Sequence, residues 1–384
     1  MIDNFTYLQP RLIEFGLGSR STLPGLLERC EAGRRVLLLS GRRWFEESGW
    51  RLRFSDLLAD FQVSFLTCPP GEPTCEGMSP LLSAAGEIAP DVIVAVGGGS
   101  VLDTAKTISA LLGRGTCVEA YLETVSAKPR KLEGPVLPWI AVPTTAGTGA
   151  EVTKNAVLKS LALGLKRSFR SQELVAACVV VDPELALGSP RGLTGTSGLD
   201  ALVQLVESYV SRKAAPIPRA LVLNAFPVLM AALKALAADL NDPQARSGAA
   251  YGALASGLAL ANSGLGAAHG FASGLGGMFD IPHGLICALF MPAVLRANAD
   301  LIAADCARLC REAGCPAEED AVEWLSREIE TLIDLYALPR DLKSFGVPAD
   351  KVMEIARRSS GSSMSGNPRE LGLDERADMI RGLL

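Results

Sequence analysis

Two histidines and a pair of polar residues one helical turn apart are the side chains whose types and spacing could do chemistry. His269 and His283 are the only histidines of the chain, and they lie on either side of a glycine-rich stretch. Asp200 and Gln204 lie four residues apart in a segment with helical periodicity, which places them on one face of a helix. Carboxylate, imidazole and amide groups can all bind a metal ion, so these four residues form a candidate metal site.

A glycine run after an apolar segment indicates a second kind of chemistry. Residues 91–100 read DVIVAVGGGS, a predicted buried strand that leads directly into Gly97, Gly98, Gly99 and Ser100, and a helical segment follows. Glycines let the backbone approach a phosphate, and the free N–H groups and positive dipole of a helix start attract its charge. A glycine run after a strand is also typical of a simple tight turn, and this run is not the GxGxxG fingerprint.

A hydroxyl-rich segment follows another predicted strand. Residues 143–153 read PTTAGTGAEVT and include Thr144, Thr145 and Thr148. Their hydroxyls could bind phosphate, ribose or the amide of a nicotinamide. The alternative interpretation, a threonine-rich helix cap, fits any one of these residues better than it fits the whole group.

The elements that must position these residues differ between the two halves of the chain. In the first half, short runs that are apolar on both faces alternate with helical stretches, which is typical of a parallel sheet covered by helices. The predicted strands are Val36–Ser40, Val92–Val96, Trp139–Val142 and Cys178–Val181. From about Leu193 the strand signals end and helical periodicities continue to the C-terminus.

The length of 384 residues predicts two domains. Prolines and a glycine between Asp182 and Arg191 place the boundary there, which gives an α/β domain over residues 1–187 and an all-helical domain over residues 188–384.

Composition and charge exclude several classes of function. A net charge of −5 with one dense basic run, Lys166–Arg170, argues against a nucleic-acid surface. Residues 1–10 do not resemble a secretion signal, and we expect a cytoplasmic protein. The most membrane-like segment, Ala220–Ala238, is interrupted by Asn224, Pro227 and Lys234 and predicts a buried helix instead.

The nine cysteines indicate free thiols in a reducing compartment. Cys306, Cys310 and Cys315 have spacings of four and five residues, without the CxxC pairs that structural zinc prefers. We interpret them as buried helical thiols rather than metal ligands.

The two motifs described above, together, resemble the signatures of the iron-containing (group III) alcohol dehydrogenases. They read GGGSxxDxAK at residues 97–106 and PTTAGTGxExT at residues 143–153. EFGxGS at 14–19, DPEL at 182–185 and NPR at 367–369 follow in the family's order, so the resemblance covers nearly the whole chain. It implies a Rossmann-like parallel sheet domain, an all-α C-terminal domain, a dehydroquinate synthase-like architecture and a homodimer.

The resemblance also implies which residues hold the dinucleotide. Asp103 would brace the glycine turn. The expected contacts are Gly97, Gly98, Gly99, Ser100, Thr144, Thr145, Thr148, Asn155 and Lys166.

The choice between NAD and NADP depends on the end of the first predicted strand. Family members that prefer NAD typically carry an Asp there, whereas this chain has Ser40, Gly41, Arg42 and Arg43. Glycine leaves room for a 2′-phosphate and arginine pairs with it, which favours NADP over NAD. The two arginines could also be simply exposed.

In the family, four residues bind Fe²⁺ or Zn²⁺: an Asp, a His one turn later, and two His spaced like His269 and His283. Asp200 matches the first ligand, but Gln204 takes the place of the second, and Ser273 replaces a further family histidine near the nicotinamide. An amide is a poorer donor than imidazole for such a metal. Two interpretations remain open: a retained but weaker metal site, or a metal-free polar pocket.

The resemblance implies an NAD(P)-dependent alcohol dehydrogenase that transfers hydride between nicotinamide and a small alcohol, aldehyde or ketone in a cleft between the domains. Asp200, His269 and His283 would be its catalytic residues, and without metal the histidines would supply the proton. One alternative is a metal-independent, maleylacetate-reductase-like reductase of keto acids, for which Arg212, Lys213 and Arg369 are candidate anion-binding residues. Another is a catalytically inactive dinucleotide-binding protein.

Overall fold

Six parallel strands form the sheet in a computed structural model that describes residues 4–30, 33–115, 117–123 and 129–384. The order across the sheet is β1-β8-β5-β4-β2-β3, and β6 and β7 pair separately as an antiparallel hairpin. The strands are β1 Leu12–Phe15, β2 Arg35–Gly41, β3 Gln62–Cys68, β4 Val92–Gly97, β5 Trp139–Pro143, β6 Asn155–Ser160, β7 Leu165–Arg170 and β8 Cys178–Val181.

The central strands are buried on both faces because helices cover the sheet on either side. In β2 the side chains Val36 to Leu39 are all fully buried, as the run of apolar residues predicts. The helices of this unit are α1 Leu23–Arg29, α2 Arg42–Glu47, α3 Trp50–Leu57, α4 Cys75–Ile88 and α5 Gly99–Leu111. The predicted α/β class and the four predicted strands are therefore confirmed.

The order of the strands reverses between β2 and β4. The chain passes from β2 to β3 at one edge, returns to pair β4 with β2, and then continues through β5 to β8 on the other side. In open parallel sheets, ligands bind at the carboxyl ends of the strands where the order reverses. That place is formed here by the ends of β2 and β4, where Ser40 pairs in register with Val96.

All regular elements described after β8 are helical, which confirms the predicted all-α C-terminal domain. The long helix α6 runs through its core, and nearly every side chain from Gly198 to Tyr209 is buried. The helices are α6 Arg191–Val210, α7 Pro216–Ala238, α8 Pro243–Ser263, α9 Ala267–Leu275, α10 His283–Ala297, α11 Ala299–Arg311, α12 Ala321–Leu335, α13 Val352–Arg358 and α14 Leu373–Arg381.

The chain divides into two compact units at residues 186 and 187, but two segments lie outside the predicted division. The segment that ends at Leu8 belongs to the helical unit, where Leu8 N donates to Asn262 Oδ1 at 2.6 Å. Residues 146–149 also belong to it: a Cβ on Gly149 would lie 2.3 Å from the Cα of Gly257. Contacts between segments that are distant in sequence cannot be read from local composition.

Two described helices, α7 and the segment His283–Arg311, are long and apolar enough to cross a membrane by length and composition alone. Each contributes to the core of the helical unit, where Phe226 of α7 and Phe290 of α10 are fully buried. The core of a folded domain explains their hydrophobicity without a membrane.

Candidate active site

Helices α6 and α10 cross closely because a glycine lies at the point of contact. A Cβ on Gly284 would lie 2.0 Å from the carbonyl oxygen of Thr196 and 2.7 Å from Cβ of Asp200. Only a residue without a side chain permits this approach. The crossing brings His283, the first residue of α10, against Asp200 of α6.

Four possible metal ligands meet at this crossing. Asp200, His269, His283 and Cys287 each offer one donor atom, and these four atoms all lie within 4.8 Å of one another. Asp200 Oδ1 is 3.4 Å from His269 Nε2 and 3.9 Å from His283 Nε2. The structure therefore brings together three of the four metal ligands that were predicted from the sequence.

A buried carboxylate fixes the orientation of His269. Glu207 Oε2 accepts a hydrogen bond from His269 Nδ1 at 2.6 Å, and the same carboxylate accepts from the backbone N–H groups of Gly266 and Ala268 at 2.9 and 2.7 Å. Because the Nδ1 proton faces Glu207, Nε2 is directed toward Asp200. Such carboxylate–histidine pairs orient metal-binding histidines and raise their basicity.

The surroundings of His269 favour positive charge. Burial lowers the pKa of His269, but the neighbouring Cys287, Glu207 and Asp200 raise it, and the net pKa lies well above the usual range. Nε2 is buried and makes no hydrogen bond to any described residue. A lone pair on Nε2 would face the Asp200 carboxylate at 3.4 Å, so a proton or a metal ion is needed between them.

Gln204 contacts the cluster through its amide nitrogen rather than its oxygen. Its Nε2 donates to Asp200 Oδ2 at 3.1 Å, and its Oε1 accepts from Ser256 Oγ at 2.8 Å. Both ends of the amide are thus used within the protein. The sequence predicts a fourth metal ligand at this position, and the structure instead shows a residue that holds Asp200 in place.

Cys287 was not singled out from the sequence. Its Sγ lies 3.9 Å from His283 Nε2, and its side chain is fully buried. Burial raises the pKa of the thiol to about 11, with His269 opposing the shift. The sequence feature that could have indicated Cys287 is its position one helical turn after His283, the same spacing that separates Asp200 and Gln204.

Other residues considered from the sequence lie in ordinary structural contacts. Ser273 donates to the carbonyl oxygen of His269, one turn earlier in α9, at 3.0 Å. Arg369 pairs with Glu375 at 2.7 Å, and Arg212 Nε donates to the carbonyl oxygen of Pro368 at 2.8 Å. Two of the three proposed anion-binding residues are therefore held by the protein itself.

The three cysteines of α11 and the loop after it make no metal-like cluster with other described residues. Cys306 and Cys310 are fully buried, as the interpretation as helical thiols predicts, and Cys315 is half-buried.

In the sheet unit, the glycine turn and the threonine segment lie next to each other. A Cβ on Gly98 would lie 3.1 Å from Thr145 Oγ1, and one on Gly97 would lie 2.5 Å from a methyl of Val101. Thr144 N donates to the carbonyl oxygen of Gly97 at 3.1 Å. Gly98, Gly99 and Ser100 are partly exposed at the carboxyl ends of β4 and β5, where the backbone N–H groups of a helix start can bind an anion.

The end of β2 lies beside this turn. Ser40 is buried, and a Cβ on Gly41 would lie 3.8 Å from Val101 at the start of α5. Arg42 and Arg43 are exposed, and Arg43 pairs with Glu47 one turn later at 3.4 Å. Arg42 is thus closer in sequence to Gly41 than Arg43 is, and it forms no ion pair with any described residue.

Asp103 has a different role from the one predicted. Its Oδ2 accepts from the backbone N–H of Val157 in β6 at 3.0 Å, and its Oδ1 accepts from Lys106 Nζ at 3.2 Å. Lys106 is fully buried and also donates to Thr153 Oγ1 at 2.8 Å and to the carbonyl oxygen of Asn155 at 2.7 Å. This group attaches the β6–β7 hairpin to α5, whereas we expected Asp103 to brace the glycine turn.

Three further residues of this region have defined surroundings. Lys166, on β7, forms an ion pair with Glu72. Thr148 lies in the segment 146–149 that packs with the helical unit. Glu151 is buried, and burial raises the pKa of its carboxyl group to about 7.

Comparison with known families accounts for both halves of this arrangement. Residues 10–183 match the model of the iron-containing alcohol dehydrogenases, and residues 194–383 match that of the C-terminal domain of the Fe-containing alcohol dehydrogenase family. The chain belongs to the iron-containing alcohol dehydrogenase family. The predicted resemblance is confirmed.

Individual members of the iron-containing alcohol dehydrogenases are similar over most of the chain. The 1,3-propanediol dehydrogenase of Klebsiella pneumoniae is 31% identical over 98% of each chain. The NAD-dependent methanol dehydrogenase of Bacillus methanolicus is 31% identical over 77% of each chain. The crystal structure of a 1,3-propanediol oxidoreductase superposes with a TM-score of 0.92 over 100% of both chains, at 28% identity.

Membership of the iron-containing alcohol dehydrogenases confirms the predicted class of enzyme. The protein is a nicotinamide-dependent oxidoreductase that acts on CH–OH groups. The inactive dinucleotide-binding alternative is not needed to explain either motif.

Proposed function

We propose that this dehydrogenase interconverts small alcohols and their aldehydes or ketones at a divalent metal site formed by Asp200, His269 and His283. The main observation in support is that these donor atoms lie within 4.8 Å of one another, with Glu207 directing His269 Nε2 toward Asp200. Fe²⁺ and Zn²⁺ both suit a set of imidazole and carboxylate donors.

The distances between the donor atoms fit a small metal ion. Metal bonds of about 2.0–2.1 Å to nitrogen and oxygen place two ligand atoms of a tetrahedral site roughly 3.3–3.4 Å apart. The distance from Asp200 Oδ1 to His269 Nε2, 3.4 Å, agrees with this spacing, and that to His283 Nε2, 3.9 Å, is slightly longer. A metal ion between these atoms would bind their unshared electron pairs, so the donor set fits the group.

A metal held by Asp200, His269 and His283 would supply Lewis-acid polarisation of the substrate oxygen, and a bound nicotinamide would supply hydride transfer. The protein's own residues prepare the site. Glu207 keeps a proton on Nδ1 of His269, and Gln204 holds Asp200 through Oδ2 so that Oδ1 faces the imidazoles. The backbone N–H groups at the start of α5 would hold the pyrophosphate of the dinucleotide.

Metal analysis and activity together test this proposal. We expect the purified enzyme to contain stoichiometric iron or zinc and to oxidise short primary alcohols, with activity lost on chelation and restored by added metal. Asp200→Asn is expected to reduce both metal content and kcat/KM, while the exposed Asp378→Asn serves as the matched control. Full activity in chelator toward keto acids would instead favour the metal-independent reductase.

For the dinucleotide we propose a preference for NADP over NAD. Gly41 at the end of β2 leaves space beside the start of α5, and Arg42 is exposed next to it. A carboxylate in that place would bind the ribose hydroxyls of NAD and repel a 2′-phosphate. We expect a lower KM for NADPH than for NADH, and Gly41→Asp should reverse that order. A wild-type enzyme that uses NADH and not NADPH would overturn this preference; the B. methanolicus relative is named NAD-dependent.

From the family resemblance we also propose a homodimer, and from the character of residues 1–10 we propose a cytoplasmic location. Sedimentation of the purified enzyme at several concentrations tests the oligomeric state, and a single species with the mass of one chain would contradict it.

A further inference from the structure

We propose that Cys287 is a ligand of the metal at this site, so that the donor set is one carboxylate, two imidazoles and one thiolate, and the substrate oxygen would bind as a fifth ligand. The inference rests on the proposed function, because it concerns the composition of the same metal centre. It is specific to this chain's own residues and predicts a site that favours Zn²⁺ or Co²⁺ over harder cations.

The backbone places the thiol among the other donors. His283 and Cys287 lie one turn apart at the start of α10, as Asp200 and Gln204 do in α6. These two helix faces come together at Gly284, where a Cβ would lie 2.0 Å from the carbonyl oxygen of Thr196. The sulfur is 3.9 Å from His283 Nε2 and within 4.8 Å of every other donor atom.

The distance from Cys287 Sγ to His283 Nε2 is close to the spacing expected of a sulfur and a nitrogen ligand. With bonds of about 2.3 Å to sulfur and about 2.0–2.1 Å to nitrogen, ligand atoms of a tetrahedral site lie roughly 3.5–3.6 Å apart. The observed 3.9 Å exceeds this spacing by a few tenths of an ångström, which a small rotation of the Cys287 or His283 side chain can close.

Gln204 leaves a ligand position to be filled. Its amide oxygen accepts from Ser256 and its nitrogen donates to Asp200, so neither end is available without breaking a buried hydrogen bond. Cys287 is the remaining soft donor within reach among the described residues.

Cys287 also differs from the other buried thiols. Cys306 and Cys310 of α11 lie in the apolar core, and Cys310 Sγ is directed at the carbonyl oxygen of Ala321. Cys287 Sγ is directed at an imidazole nitrogen instead. On metal binding its S–H bond breaks, the proton leaves to solvent, and the sulfur donates an electron pair to the metal without any change in oxidation state.

Cobalt substitution and X-ray absorption test the proposal without relying on activity. We expect the Co²⁺-loaded enzyme to show a sulfur-to-cobalt charge-transfer band in the near ultraviolet. The zinc-loaded enzyme should show one sulfur scatterer at about 2.3 Å in addition to nitrogen and oxygen at about 2.0–2.1 Å.

Cys287→Ser should abolish both signals and weaken Zn²⁺ binding in a competition titration by at least about tenfold, the lower end of the loss caused by removing even an outer-shell partner. Cys306→Ser, which changes an equally buried thiol of α11, is the matched control and should keep both signals. In the double variant Gln204→His/Cys287→Ser, zinc affinity should recover without a sulfur signal, which shows that the single variant failed through its ligand and not through its fold.

A metal-loaded wild-type enzyme without a sulfur scatterer would overturn the role of Cys287 and leave the proposed dehydrogenase site standing. An enzyme that binds no metal and keeps full activity in chelator would overturn both.

Discussion

Replacing Glu207 by Gln tests whether a buried carboxylate prepares His269 for metal binding. The two oxygens of Glu207 accept three hydrogen bonds, from the N–H groups of Gly266 and Ala268 and from His269 Nδ1. A glutamine has only one acceptor oxygen, so its amide nitrogen must face at least one of these donors.

The cost can be estimated from these contacts. The most favourable orientation keeps the glutamine oxygen in the place of Oε2, where it retains Gly266 and His269 and leaves the N–H of Ala268 without an acceptor. A buried unsatisfied N–H costs about 1–3 kcal/mol. The two retained bonds lose their charge assistance, about 1 kcal/mol each. The free energy of unfolding should therefore fall by about 3–5 kcal/mol.

Metal affinity should fall with it. Outer-shell partners of metal-binding histidines contribute about 10–100-fold to affinity, so we expect a loss in that range. Urea unfolding of the metal-free proteins measures stability, and a zinc competition titration measures affinity. The control is Glu323→Gln, which removes an exposed ion pair with Arg296 and should change stability by no more than about 1 kcal/mol. If Glu207→Gln behaves like this control in both assays, His269 is not held by Glu207 in the way described.

Three further predictions concern the framework. Gly284→Ala inserts a methyl into the contact of α6 and α10 and should lower the free energy of unfolding by at least about 1–3 kcal/mol, as measured with urea. The control is Gly86→Ala at an exposed position of α4 with open space, which should be neutral or stabilising. Because burial raises the pKa of Glu151 to about 7, its contribution to stability is complete below a pH of about 4.5. Up to about 3 kcal/mol of that contribution is lost as the pH rises to about 7. In Glu151→Gln the free energy of unfolding should vary less with pH across that window, and an unchanged slope would refute the pKa shift. Lys106→Met leaves Asp103 buried without its cation and should cost about 3–5 kcal/mol in thermal or urea unfolding, a value that a loss below 1 kcal/mol would contradict.

The sequence predicts the sheet best where burial is complete. β4 and β8 are apolar on both faces, and their predicted bounds agree with the structure to within one residue. The edge strands β1 and β3 were not predicted, because their side chains are mostly half-buried and their residues mix polar and apolar types. The hairpin of β6 and β7 was also missed, since its alternation is carried by few apolar residues.

The candidate site was predictable only in part. Asp200, His269 and His283 stand out by residue type and spacing, and the structure brings them together. Cys287 has the right spacing from His283, but a lone cysteine in an apolar helix is usually a core residue. The contact of Gln204 with Ser256 depends on how α6 packs against α8, and no local pattern encodes that distance.

The donors of the metal cluster come from α6 and from the pair α9 and α10, which lie far beyond α6 along the chain, and they meet only when these three helices have packed. An unfolded chain has no such arrangement, so a bound ion would favour the native state by mass action. At a free metal concentration a hundred times the dissociation constant, that effect is about 2.7 kcal/mol. The helical unit would then depend on metal supply for its lifetime in the cell: during scarcity its core would open more often and be exposed to proteolysis, whatever the demand for alcohol oxidation.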